Sequence, residues 1–115
     1  MRSYLPGFAF LLALLAPGGA QAVQPACRVI DGDSLVCSGE RMRLKGICAA
    51  EMREPGGREA KAALETWLEQ PGDLQVEHFG QDRYARSLVV LSIKGAPLTQ
   101  DHIGPPAGRG LKYCR

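Results

Sequence analysis

Between Cys27 and Ile93 the period of the apolar residues changes twice, from the alternation of strands to the repeat of a helix and back again. Up to Ile47, β-forming stretches alternate with turn residues: Arg28-Val29-Ile30, a turn at Asp31-Gly32-Asp33, Ser34-Leu35-Val36, a turn at Ser38-Gly39-Glu40, then residues 42–47. That is the pattern of a three-stranded meander. After Gly56-Gly57, the residues Ala60, Ala63, Leu64, Trp67 and Leu68 share one helix face, Arg58, Glu59, Lys61, Glu65 and Glu69 take the other, and Pro71-Gly72 ends the element. Two more strands are predicted over 74–79 and 87–93, joined by Gly80-Gln81-Asp82. The expected fold is therefore mainly β with α: a five-stranded Greek-key barrel of the OB type, with one helix inserted after strand three. In the third strand Met42 and Leu44 point one way and Arg43, Lys45 and Ile47 the other, which predicts that Arg43 lies away from the main core. Beyond Lys94, Pro97, Gly104, Pro105, Pro106, Gly108 and Gly110 leave room for about two helical turns around 98–103 and an irregular C-terminal tail.

The N-terminus reads differently. Arg2, an apolar run over 8–16 and the ending Ala20-Gln21-Ala22 form the charged region, hydrophobic region and A-x-A site of a secretory signal peptide over 1–22. The run is too short to span a bilayer as a stable helix, so no membrane span is expected after cleavage. The remaining 23–115 amount to one small domain, exported to a periplasm or secreted, and expected to be monomeric. With 13 Lys and Arg against 12 Asp and Glu once Arg2 is set aside, nucleic-acid binding must come from local clustering of basic residues.

Four cysteines on an exported chain favour disulfides over metal ligation, and no C-x-x-C pair occurs. Cys27 and Cys37 lie symmetrically about Gly32 and would face each other across a hairpin. Cys48 and Cys114 are then left either to bridge or to remain thiols. His78 and His102 stand apart from any partner at ligand spacing and read as surface or strand residues.

Three segments, taken in order, carry a resemblance. Val29 to Leu35 resembles the V-I-D-G-D-T-hydrophobic segment of the staphylococcal-nuclease-like (thermonuclease) family, the stretch from Arg43 to Glu51 its R-L-x-G-I-D-A-P-E segment, and Asp82-Arg83-Tyr84-Ala85-Arg86 its D-R-Y-G-R segment. The resemblance implies a calcium-dependent phosphodiesterase acting on single-stranded DNA or RNA. It implies Asp33 as a carboxylate ligand of Ca2+, with the backbone carbonyl of Ala49 as another and Asp31 as a compensating donor. It implies Glu51 as the residue acting on the attacking water, Arg43 and Arg86 on the scissile phosphate, and Arg83 and Tyr84 near the nucleotide. Hydrolysis of a phosphodiester needs that kit: a hard cation, a base near water, and forked guanidinium donors. The chain departs from the pattern at Cys48, where the family carries a second metal-binding Asp, and at Ala50, where it carries Pro. The alternative function is thus a decayed module of the same fold that binds nucleic acid or a protein partner without cleavage.

Overall fold

The computed structural model describes residues 25–106; the expected leader over 1–22, and Cys114 with the end of the tail, lie outside the described residues. The described residues are mainly β with two helices. The elements run β1 (Cys27–Asp31), β2 (Ser34–Cys37), β3 (Glu40–Leu44), α1 (Gly57–Leu68), β4 (Leu74–Gln81), β5 (Ser87–Ile93), β6 (Ala96–Pro97) and α2 (Gln100–Ile103). The five strands and the helix after strand three fall where the change of period puts them, and β6 is an addition.

Turn chemistry builds the two tight hairpins. Between β2 and β3, Ser38 and Gly39 have φ of 50° and 84°; between β5 and β6, Lys94 and Gly95 have φ of 54° and 77°. Two consecutive left-handed residues match the right-handed twist of the flanking strands. Cys27 sits directly opposite Cys37 in the β1–β2 register, and the two form a disulfide, the pairing expected from their symmetry about Gly32.

The sheet is mixed. Its hydrogen-bonded path is β1-β2-β3-β5-β4, with β6 on the far end of β5. β3 and β5 run parallel because α1 and β4 intervene between them, while the other ladders are antiparallel. Among the described residues no ladder joins β1 to β4, so the path is open. A groove of about 660 Å³ lies along that side, lined by Cys27, Val29 and Lys61 together with Leu68 and Leu74.

The core fills the inner face of this sheet. Leu35, Leu44, Val89 and Leu91 meet Leu64 and Trp67 of α1 and Ile103 of α2. On α1 the stripe Ala60, Leu64 and Trp67 is buried as its spacing predicts, while Ala63 and Leu68 are half-buried at its margins.

Gly32 is where this packing becomes intolerant. Its backbone conformation is ordinary for any residue, but a Cβ there would come within 2.6 Å of the Ala60 Cβ and 2.7 Å of the Ala49 Cβ. The β1–β2 turn therefore rests directly on the start of α1 and on the loop after β3. Gly32→Ala is expected to cost about 1–3 kcal/mol by overpacking, read as a lower urea midpoint with an unchanged m-value. An unchanged midpoint would mean that the turn is not seated on the helix.

One expectation needs correction. The third strand ends at Leu44 rather than at residue 47, because Gly46 takes a left-handed φ of 79° and turns the chain. Arg43 lies on the face away from the core, as the alternation predicts, yet it is only 7% exposed, since β3 is flanked by β2 and β5 and the loop after it folds back over the side chain.

Candidate active site

The turn at Gly46 brings carbonyls to Arg43. Its Nη1 donates to the Leu44 carbonyl at 2.7 Å, to the Ile47 carbonyl at 2.8 Å and to the Asp33 carbonyl at 3.3 Å. Its Nη2 stands 3.6 Å from the Asp33 carboxylate. Five donors in a rigid fork suit this convergence, which a lysine could not reproduce. This guanidinium is therefore first a clamp that ties the β1–β2 turn to the end of β3 and to the loop that follows.

The acidic turn divides its labour. Asp31 Oδ1 accepts from the Ser34 hydroxyl at 2.7 Å and from the Asp33 amide at 3.3 Å, the side-chain-to-backbone bonding that makes Asp a turn residue. Asp33 has a different partner: its Oδ2 accepts the Ala49 amide at 3.0 Å. One carboxylate thus joins all the parts: the first motif through its own turn, the second through Arg43, and the loop through Ala49. Burial, and then a hydrogen bond with Asp31, push the Asp33 carboxyl up from 3.8 to about 6, against the Ala49 amide and Arg43, which pull it down.

That shift has a definite sign. The folded protein holds the Asp33 proton more tightly than the unfolded chain does. The resulting stabilisation is complete below pH 3.8 and is lost as pH rises through about 6. The span corresponds to roughly 3 kcal/mol. In EDTA, the urea midpoint is expected to fall between pH 4 and 7, and Asp33→Asn should flatten that slope. Equal slopes in both proteins would overturn the assignment.

The loop after β3 is pinned from the far end of the chain. Cys48 is fully buried and disulfide-bonded; its expected partner, Cys114, is outside the described residues. The Cys48 amide donates to Gln100 Oε1 at 2.8 Å, and Gln100 Nε2 donates to the Cys48 carbonyl at 3.0 Å and to the Gly104 carbonyl at 2.8 Å. Ala49 and Ala50 are buried and Glu51 is exposed at the rim, its amide donating to Glu54 Oε1 at 2.7 Å. Gly57 fixes the depth of this rim, because a Cβ there would collide with the Glu51 carbonyl and with Met52 Cα.

The loop before β5 supplies the other arginine. Asp82 Oδ1 accepts the amides of Tyr84 and Arg86, both at 2.9 Å, and its Oδ2 accepts Arg86 Nε at 2.7 Å. Together with the left-handed Ala85 at φ 64°, this closes a compact loop. Desolvation pushes the Asp82 carboxyl up, but the hydrogen bonds from the Arg86 and Tyr84 amides and the Arg86 side chain together outweigh it and hold the group below its ordinary range. The guanidinium groups of Arg83 and Arg86 lie 5.1 and 5.6 Å from the Tyr84 ring centre. Arg41 Nη2 reaches across to the Tyr84 carbonyl at 2.9 Å. Because Arg43 is level with Leu88 in the parallel ladder, Arg86, two residues before Leu88, falls on the same face of the sheet as Arg43 and Arg41.

The structure therefore brings Asp31, Asp33, Arg43 and Ala49 together. It sets Arg86, Arg83 and Tyr84 on the adjoining loop and leaves Glu51 at the rim. Among the described residues there is no group of three or more His, Cys, Asp or Glu arranged to hold a metal ion. His78 pairs with Glu40 at 2.8 Å, and His102 Nδ1 accepts the Thr99 amide at 2.9 Å. Both are exposed, His78 on β4, as expected, although the His78 pairing with Glu40 is a long-range contact.

Two residues escape a reading of the sequence. Gln100 has no signal, since it is 52 positions from its partner. Arg41 could have been found from strand periodicity, being two residues before Arg43.

No protein-family model matches the chain. It is similar to the succinoglycan biosynthesis protein ExoI of Rhizobium meliloti (strain 1021), with 35% identity over 91 residues, covering 68% of this chain and 48% of that protein. The chain thus spans about half the length of this curated relative. No helix among the described residues is long and apolar enough to cross a membrane.

Proposed function

We propose that the chain is an exported phosphodiesterase of the staphylococcal-nuclease type, built on an OB-like barrel and acting on nucleic acid. The observation that carries this reading is the convergence on Asp33. An acidic turn, a buried arginine and the Ala49 amide meet there, with Arg86 on the same face of the sheet. Monomeric behaviour and release to an oxidising compartment belong to the same proposal, in keeping with the Cys27–Cys37 disulfide.

Two carboxylates of one turn, Asp31 and Asp33, are oxygen donors of the kind a hard divalent cation takes. Asp33 and Asp31 would hold Ca2+, with backbone carbonyl oxygen such as that of Ala49 to help. Bound there, the ion would supply Lewis-acid polarisation of a phosphoryl oxygen. In this reading Arg86 and Arg43 orient the phosphate and meet its developing negative charge, and Asp82 keeps Arg86 aimed. Glu51, exposed at the rim, takes a proton from the attacking water. Arg83 and Tyr84 bind the neighbouring nucleotide.

A direct assay tests this: cleavage of fluorescent single-stranded DNA and RNA by the oxidised protein, with Ca2+ titrated against EDTA. Ca2+-dependent cleavage is expected, falling about 10²–10⁴-fold in Glu51→Ala. Cleavage unaffected by Glu51→Ala would remove Glu51 from the role.

A second reading is favoured by Cys48. At the position where a second metal-binding Asp is expected, the side chain is buried in a disulfide and its backbone is taken by Gln100. The chain would then bind a nucleic-acid strand or a protein partner without cutting. Oligonucleotide binding in EDTA with no cleavage at millimolar Ca2+ selects this reading. The named role of the Rhizobium relative supplies a further control, a glycan in the same assay. Binding of the glycan in place of the oligonucleotide would move the function to that class.

A further inference from the structure

We infer that Phe79 of β4 and Lys45, which follows β3, form a base-stacking subsite for single-stranded nucleic acid on the outward face of the sheet. The inference rests on the nucleic-acid reading above and extends it to residues outside the three motifs.

The face follows from register. His78 is level with Val89, whose side chain is fully buried on the inner side, so Phe79 belongs to the opposite face. A register irregularity between His78 and Gln81 lies at Phe79, the kind of local break that re-aims a side chain on an edge strand. The ring is 45% exposed. Lys45 follows β3, and β5 separates β3 from β4, so the two backbones are about 10 Å apart. The lysine stem crosses β5 and brings its ammonium to 5.1 Å from the Phe79 ring centre. An apolar ring on an edge strand, held out of the core and paired with a cation, is poorly explained by packing alone.

The same geometry recurs in the loop of the β4–β5 hairpin. Tyr84 is 58% exposed, with Arg83 and Arg86 against its ring and Arg41 holding its carbonyl. The β4–β5 hairpin thus carries two exposed rings, each flanked by cations, with Arg41 alongside. Glu77 is a carboxylate that the register adds to this face. Rings that stack and cations that track a backbone are what an unpaired polynucleotide requires. A duplex hides its base faces, and an acidic peptide offers few rings to stack. The occupant is therefore a single strand whose phosphates run along Arg41, Lys45 and Arg86, with one base on Tyr84 and another on Phe79.

The test is fluorescence anisotropy in EDTA with a labelled oligothymidylate of about twelve nucleotides, a span suited to one such domain, and an abasic phosphodiester of equal length. Phe79→Ala is expected to weaken the oligothymidylate about five- to a hundredfold and to leave the abasic strand unchanged. Lys45→Gln should weaken both and reduce the salt dependence. Phe79→Trp should bind the oligothymidylate at least as tightly as the parent. If Phe79→Ala fails to fold, as judged by circular dichroism, Phe79→Leu keeps the apolar cover without a stacking ring and takes its place. Equal losses on both strands, or no loss on the oligothymidylate while Arg86→Ala still weakens it, would overturn the subsite and leave the proposed function standing. No binding and no cleavage by the parent would overturn both.

Discussion

Replacing Arg43 by alanine is expected to lower the unfolding free energy by about 3–5 kcal/mol, the cost of removing one partner from a buried charged network. The Leu44 and Ile47 carbonyls would lose a charged donor, and Asp33 would lose its neighbouring cation. A domain of this size commonly has only about 5–15 kcal/mol in all. Much of the variant should therefore be unfolded at temperatures where the parent is folded. Urea denaturation of both proteins measures this directly. Loss of activity in this variant would say little about catalysis unless the folded fraction is measured with it. Arg43→Lys is no remedy, because an ammonium cannot bridge carbonyls and carboxylate at once. A loss below about 1 kcal/mol, the range of an exposed ion pair, would show that the guanidinium is no structural clamp.

Cys48→Asp is expected to be worse. On sequence grounds alone it is the obvious restoration: it returns the missing carboxylate and should tighten Ca2+ binding. The structure puts position 48 at 0% exposure within a disulfide. The substitution removes a cross-link worth about 2–4 kcal/mol and asks a carboxylate to sit where water does not reach, at a further several kcal/mol unless it is paired. The expected result is a protein that is largely unfolded without Ca2+. High Ca2+ would recover some of it if the new carboxylate reaches the Asp33 and Asp31 pair. Thermal melts with and without Ca2+ distinguish the cases. A stable, well-folded Cys48→Asp protein would show that the loop has room to present an acid, and that the site differs from its intact counterpart by little more than this residue.

Strand and helix placement was legible because it depends on local periodicity and turn chemistry. Ser38-Gly39 and the stripe Ala60, Leu64 and Trp67 read the same way in sequence and in space. The Cys27–Cys37 pair followed from symmetry about a turn. The burial of Arg43 was not legible, because alternation assigns faces within one strand and knows nothing of what folds over them. The carbonyls that bury it come from a turn that Gly46 creates, and their convergence is tertiary. The end of β3 was missed for the same reason. The split between Asp31 and Asp33 was invisible as well, since both belong to one turn motif and only contact with Ala49 separates them. The sheet's openness between β1 and β4 depends on edge pairing, on which a linear sequence is silent.

Gln100 adds a consequence of its own. With one primary amide it satisfies both backbone groups of Cys48 and also the Gly104 carbonyl, so a single side chain replaces a rung of sheet. The four-residue helix α2 is thereby welded to the loop that carries Ala49 and Glu51. The Cys48 amide can exchange with solvent only when Gln100 lets it go, so opening of the loop and of the helix is expected to be coupled. Whatever binds against Asp33 and Glu51 will be felt as slowed exchange at residues 100–104, although no ligand touches them.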